Sequence, residues 1–247
     1  MKFVVLGLVL FSGGAFAQNA IPPGTVLPAQ LNTSLNSKKS KPGQTITARI
    51  MQDVPLSRER KIRAGTRVVG HIVTVNPATN AGASQITLRF ESLDFNHESV
   101  PITSSLRALA SMTEVADAQI PPSGPDRGTP WAWRTRNLIG GEVAYGEGGP
   151  VARGTQIVGR ALVEGVLVRL DANPASGCRG EFAGSTQPQA LWVFSSDACG
   201  VYGLEDVQIT HAGRSAPLGE ITLTSKQGSL NISSGSGMLL RVNGSDQ

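Results

Sequence analysis

The sequence predicts an all-β protein: an N-terminal β-barrel or sandwich with one short helix, followed by a smaller disulfide-tied antiparallel β domain. Three observations carry that reading. Glycine is abundant at 29 of 247 residues, proline reaches 15 and aromatic residues make up only 5%, a composition that suits many turns and short strands. Residues 44–54 alternate polar and apolar side chains with the period of a half-buried strand. Finally, Gly65-Thr66-Arg67-Val68-Val69-Gly70-His71 returns as Gly154-Thr155-Gln156-Ile157-Val158-Gly159-Arg160, and more loosely from Gly24-Thr25 onward. Glycine leaves a turn at little steric cost, and β-branched Thr favours an extended backbone. The second glycine lets the strand bend or approach a neighbour. A shared turn-to-strand junction and an inherited duplicated unit both fit. The spacings, 41 and 89 residues, give no fixed period for a propeller or solenoid.

Residues 1–17 read as a secretory signal, with Lys2, an apolar run over 3–11 and the small-residue site Ala15-Phe16-Ala17. The expected mature chain starts at Gln18, carries no transmembrane segment and is periplasmic or secreted; an uncleaved anchor is the alternative. Residues 18–118 are expected to form the barrel-like domain, 119–130 a linker, and 131–247 a β-meander domain.

A first strand is expected over 25–31, at a sheet edge because of Pro28. Pro42-Gly43 is a turn signal, and Pro55 ends the next strand. The central strand, 66–75, is apolar enough on both faces to suggest two-sided burial. Residues 85–95 alternate again, with Ile86, Leu88, Phe90 and Ser92 inward, and pair with 99–103 in a hairpin. Residues 104–118 are the helical candidate, because Leu106, Leu109, Met112 and Val115 recur every three residues. Four prolines and two glycines within 119–130 read as the linker. Short strands are then expected, among them 191–194, 207–210, 220–224 and 238–242. Cys178 and Cys199, with 20 residues between them, should pair in an oxidising compartment, stabilising the fold by roughly 3 kcal/mol.

Charge is uneven. Nine basic residues fall within 38–67 against Asp53 and Glu59, whereas 111–247 carry ten basic and thirteen acidic side chains. Lys38, Lys39, Lys41, Arg58, Arg60, Lys61, Arg63 and Arg67 are therefore the candidate surface for an envelope protein or an anionic surface. A solvated set of loops is the plainer reading. Nucleic acid is not expected, since export removes it and no aromatics interleave with the patch. Trp131 and Trp133, with Arg134 and Arg136, could stack on a sugar or grip a partner, or simply pack at the domain junction.

No catalytic set is legible. The histidines are His71, His97 and His211, and no Gly-x-Ser-x-Gly elbow is present. No zinc spacing or calcium loop is found, so no metal and no cofactor are expected. Adjacent Glu205 and Asp206 would point to opposite strand faces. The expectation is a non-catalytic exported scaffold or binding module, not an enzyme. A carbohydrate-binding module and a hydrolase with an unrecognised site are the alternatives.

The first hundred mature residues resemble the C-terminal domain of the TrbI or VirB10-like family of conjugation and type IV secretion. Residues 21–28 (Ile-Pro-Pro-Gly-Thr-Val-Leu-Pro) look like its opening. Ser37, Gly43 and Asp53-Val54 follow in order, then Ile62-Arg63-Ala64-Gly65-Thr66-Arg67-Val68-Val69-Gly70 and the strand over 85–93. The resemblance covers 21–109. It implies a β-barrel domain that scaffolds an envelope complex, without enzyme activity. A cleavable signal in place of an inner-membrane anchor and proline-rich stem is a departure, as is the lack of a long two-helix insertion. The C-terminal half shows no such likeness.

Overall fold

The computed structural model describes residues 20–79, 82–95, 98–121, 135–170 and 187–244. In chain order the strands are β1 (Val26–Leu31), β2 (Leu35–Asn36), β3 (Thr45–Ile50), β4 (Val54–Pro55), β5 (Lys61–Ile62), β6 (Arg67–Asn76), β7 (Ser84–Phe95), β8 (Glu98–Pro101) and β9 (Ser104–Ala110). Helix α1 (Met112–Gln119) follows. Then come β10 (Arg136–Asn137), β11 (Val143–Ala144), β12 (Pro150–Arg153), β13 (Gln156–Ala161), β14 (Val166–Val168) and β15 (Gln189–Ala190). The chain ends with β16 (Gly200–Tyr202), β17 (Val207–Ala212), β18 (Ile221–Ser225), β19 (Asn231–Ile232) and β20 (Gly237–Val242).

The fold is mostly β, as expected, but among the described residues no sheet closes into a barrel. A ten-stranded sheet runs β16-β9-β20-β1-β3-β6-β7-β18-β17, with β8 paired to β7. A six-stranded antiparallel meander runs β10 through β15 in order, and β2/β19 and β4/β5 form two small ribbons. Residues 122–130 of the expected linker lie outside the described residues, and the described sheets do not divide at 119–130. Strands from 200–242 return to the sheet begun by 26–110, and only 136–190 build the meander. The reason is burial. The outer faces of β1, β9 and β20 carry Val26, Ala108, Ala110 and Leu239, which pack with Val151, Leu191 and Phe194 of the meander unit and Val115 of α1. Their inner faces, with Leu27, Leu106 and Leu240, join Ile46, Ile72, Leu88 and Leu223 in the core inside the curved sheet.

Two buried glutamines stitch the layers. Gln52 Nε2 donates to Val166 O at 2.8 Å, and its Oε1 accepts from Trp192 N at 2.6 Å. Gln189 Oε1 accepts from Val26 N at 3.1 Å. Trp192 sits at φ 54°, the one non-glycine residue with positive φ among those described. The segment 191–194, expected as a strand, is a turn closed by Phe194 N donating to Leu191 O, with a single bridge from Phe194 to Ile139.

Four strands start from one device. The segments 22–25, 41–44, 63–66 and 233–236 are turns closed by a bond from the fourth residue's N–H to the first residue's C=O, at 3.1–3.2 Å. The third residue is glycine each time, at φ +84°, +78°, +88° and +91° for Gly24, Gly43, Gly65 and Gly235. These are type II turns, whose third position favours glycine. Each glycine N–H then donates to the carbonyl of a residue on the antiparallel neighbour, and that residue's N–H donates to the carbonyl one position after the glycine. The facing residues are Val242, Ile72, Ile50 and Leu31. Two residues facing one, the first a positive-φ glycine, is a G1 bulge. β1/β20 thus runs from Thr25 opposite Val242 to Leu31 opposite Ser236, and β3/β6 from Gln44 opposite Ile72 to Ile50 opposite Thr66. Each ladder ends in a bulge at both ends.

The Gly154 copy of the repeated motif is a different object. Gly154-Thr155 is the two-residue link of the β12–β13 hairpin, with φ +57° at its first position, as a type II′ turn requires. The second glycine of the motif does serve close approach. A Cβ on Gly70 would lie 2.0 Å from Arg89 O, and one on Gly159 would lie 2.3 Å from Leu167 O.

Three further expectations change. Residues 104–110 are strand, and the helix spans only Met112–Gln119, N-capped by Ser111, whose Oγ accepts from Glu114 N at 3.1 Å. Arg107 is the extra residue of a bulge opposite Leu239 and Leu240, so the inward-facing residues Leu106 and Leu109 fall three apart and mimic a helical period. Glu91 does the same on β7. After Phe90 the buried positions are Leu93 and Phe95, not Ser92. Finally, Pro28 is not on an edge, since β1 pairs with β20 and β3. The N–H groups of Ala29 and Leu31 face β20, so Pro28's nitrogen faces β3 at the end of that ladder, where its carbonyl alone bonds, accepting from Met51 N at 2.9 Å.

Candidate functional site

The eight basic residues of the expected surface separate into two groups. Lys38, Lys39 and Lys41 lie in the loop before β3, beside the 41–44 turn. Arg58, Arg60, Lys61, Arg63 and Arg67 lie on the β4–β5 ribbon, the 63–66 turn and the start of β6. The β3/β6 ladder stands between them, and six residue steps at about 3.3 Å put the groups roughly 20 Å apart. They are two surfaces.

The lysine loop is pinned through its backbone. Lys38 N donates to Asn36 Oδ1 at 2.9 Å, and Lys41 N to Gln44 Oε1 at 3.1 Å, while the lysine side chains are exposed. The arginine-rich end is organised through its side chains. Asp53 accepts from Lys61 Nζ and from Ala64 N at 2.9 Å. Partial burial would raise the Asp53 pKa, but those two bonds and the charges of Lys61 and Arg63 together hold it below the ordinary carboxyl value. Arg67 Nε donates to Asp94 Oδ2 at 2.7 Å, and Arg49 Nη2 to Gln30 Oε1 at 2.7 Å. Arg49, the remaining basic residue within 38–67, joins this group through its register with Arg67.

Trp131, Trp133 and Arg134 lie outside the described residues. Arg136 is on β10, and its Nη2 reaches Leu162 O at 3.5 Å. Burial lowers its pKa. It lines a cleft of about 290 Å³ with Gln119, Pro121, Glu147, Leu162 and Val163. Cys178 also lies outside the described residues. Cys199 N donates to Tyr202 Oη at 3.0 Å.

Of the histidines, His97 lies outside the described residues. His71 Nδ1 meets Glu91 Oε2 at 3.0 Å on the open face of β6/β7, where Arg89 continues the chain of charges to Glu220 at 2.6 Å. His211 Nδ1 is 2.6 Å from Glu220 O, and its Nε2 is 3.2 Å from Ser215 Oγ. Backbone groups, Glu220 O and Gly213 N at 3.2 Å, and not a carboxylate meet Nδ1 of this imidazole, and Ser215 is exposed. Among the described residues, no group of three or more His, Cys, Asp or Glu could hold a metal, and no helix is long and apolar enough to cross a membrane.

One cluster has no counterpart in the sequence reading. Glu142, 1% exposed, accepts from Arg153 Nε and Nη2 at 3.0 and 2.8 Å, from Ser196 N at 2.8 Å and from the Ser196 hydroxyl. Arg153 also approaches Asp197 at 3.6 Å, and buried Arg107 donates to Ser196 O at 2.6 Å. Burial raises the Tyr202 pKa; Cys199 N–H and Arg107 oppose that, and Asp197 reinforces it. The Arg107 bulge aims a β9 guanidinium outward, into the meander. The network locks the ten-stranded sheet to the meander, because removing one member would leave the other charges buried without compensation. No residue motif announces it, since Glu142, Arg153 and Ser196 meet only through the fold.

No family model matches the chain, and no curated protein matches it significantly.

Proposed function

We propose that the protein is a non-catalytic, exported cell-envelope protein that serves as a scaffold or protein-binding module. The observation that carries this is the contrast between the covered outer face of β1/β20 and the open, basic end of β3/β6. Rigid type II turns and the β4–β5 ribbon hold Arg58, Lys61, Arg63 and Arg67 outward there. Cations fixed on turns are suited to a complementary acidic face. The secretory signal over 1–17 and the resemblance of 21–109 to the TrbI or VirB10-like family point the same way. Cell fractionation combined with cross-linking tests the proposal. The expected result is a discrete cross-linked species in the envelope fraction, and a freely diffusing monomer would overturn it.

The Ser215–His211 contact supplies a direct test of the non-catalytic reading. A fluorophosphonate probe should leave Ser215 unlabelled, and labelling that disappears in Ser215→Ala would show an activated serine instead. We also propose that Cys178 and Cys199 form a disulfide in the exported protein. Its intact mass should be about 2 Da below that of the reduced chain, since forming the bond removes two hydrogens; equal masses would rule the bond out.

A further inference from the structure

Gln30, Arg49 and Arg67 form one cross-strand row. Gln30 is the register partner of Arg49, and Arg49 is the register partner of Arg67. Asp94 of β7 completes the row, taking the Arg67 Nε–H at 2.7 Å. Like charges directly opposite on adjacent strands repel. Here the two guanidiniums are tethered apart: Arg49 leans to β1 and Gln30, and Arg67 leans to β7 and Asp94. Arg49 is exposed, and the Arg67 side chain retains 61% of its accessible surface. Each arginine gives one donor to its tether and keeps others of its five N–H groups in a fixed fork. Register places the two guanidiniums on either side of one strip of the open β3/β6 face, and that strip is the candidate seat.

We propose that this seat binds a phosphate group, carried either by a free phosphate ester or by an anionic lipid headgroup. A carboxylate has two oxygens and is satisfied by one fork. A phosphate offers oxygens to both forks at once, and although Asp94 offsets one of the two cations the row keeps a net positive charge to meet it. Arg63 stands exposed on the same end and adds a cation, while the charge of Lys61 is offset by its pair with Asp53. The β1 and β7 tethers limit the freedom lost when the ligand arrives. The site rests on reading this end as the binding surface, and it adds a ligand class and two contact residues, Arg49 and Arg67.

The test uses the purified protein with three probes: inorganic phosphate by calorimetry, and phosphatidylglycerol and phosphatidylcholine vesicles by co-sedimentation. Arg49→Gln and Arg67→Gln are compared with Lys38→Gln and Lys39→Gln, which remove the same charge at the other end. Each arginine variant should weaken phosphate or phosphatidylglycerol binding by about tenfold, the loss of one charge-assisted bond, and the lysine variants by less than about twofold. Phosphate binding without vesicle binding identifies a soluble ester. Phosphatidylglycerol binding that inorganic phosphate competes away identifies a headgroup. No binding of either probe, equal binding to phosphatidylcholine, or equal loss in arginine and lysine variants overturns the site. Unchanged thermal unfolding of the arginine variants separates lost binding from lost fold. An envelope cross-link that fails while phosphate binding persists would remove the scaffold proposal and leave this site in place.

Discussion

The β1/β20 and β3/β6 ladders are bounded by the same glycine bulges, yet the first is buried on both faces and the second on one. Outward from β1/β20 point Val26, Pro28 and Leu239, which the meander unit and α1 cover, with half-buried Gln30 and Arg241 toward its ends. Outward from β3/β6 point Thr45, Thr47, Arg49, Arg67, Val69 and His71, all exposed or half-buried. One backbone unit therefore serves once as the floor for a second layer and once as a surface. What decides between the two is the outward side chains: apolar where another layer must bury surface, polar and basic where none does.

The comparison is broken most forcefully by truncating matched outward positions. Leu239 is fully buried between the layers, so Leu239→Ala should destabilise the fold by about 2–5 kcal/mol in urea unfolding. Val69, outward on the open ladder, loses only partial contact, and Val69→Ala should cost about 1 kcal/mol or less. Similar losses at the two sites would mean that the outer face of β3/β6 is covered as well.

The same contrast explains what could be read in advance. Residues 45–50 alternate strictly because one face is wet, and the strand was legible. On β1 and β20 both faces are apolar except at Gln30 and Arg241, so periodicity carries little information there, and Pro28 points to an edge that does not exist. On β9 the Arg107 bulge spaced Leu106 and Leu109 like a helix, and tertiary pairing overrode the local pattern. The repeated Gly-Thr motif was visible but grouped by residue type. It joined Gly24 and Gly65 to Gly154, a different turn, and missed Gly43 and Gly235, which share the bulge but are followed by Gln44 and Ser236. The turn demands the glycine's φ and leaves the next side chain free. The charged surface was half legible. Composition found the basic run, but strand pairing split it and added Arg49. The return of 200–242 to the first sheet is a long-range pairing with no local signal.

A finer test lies in the bulge glycines themselves. Gly65 launches the open ladder, and a Cβ placed there meets nothing within 4 Å. Gly65→Ala should therefore cost only the left-handed backbone strain, about 1–2 kcal/mol. Gly235 launches the covered ladder at nearly the same φ, but a Cβ there would lie 2.9 Å from Met112 Cγ, on the helix that helps cover β20. Met112 must then move, adding roughly 0.5–1.5 kcal/mol of rotamer strain to Gly235→Ala. A double-mutant cycle with Met112→Ala isolates the difference, because shortening Met112 removes the collision and leaves the backbone term. The extra cost at Gly235 should vanish in that background, while Gly65→Ala should be indifferent to it. If Gly235→Ala and Gly65→Ala are equal in wild type, the helix does not press on the turn, and the two ladders differ in their outward side chains alone.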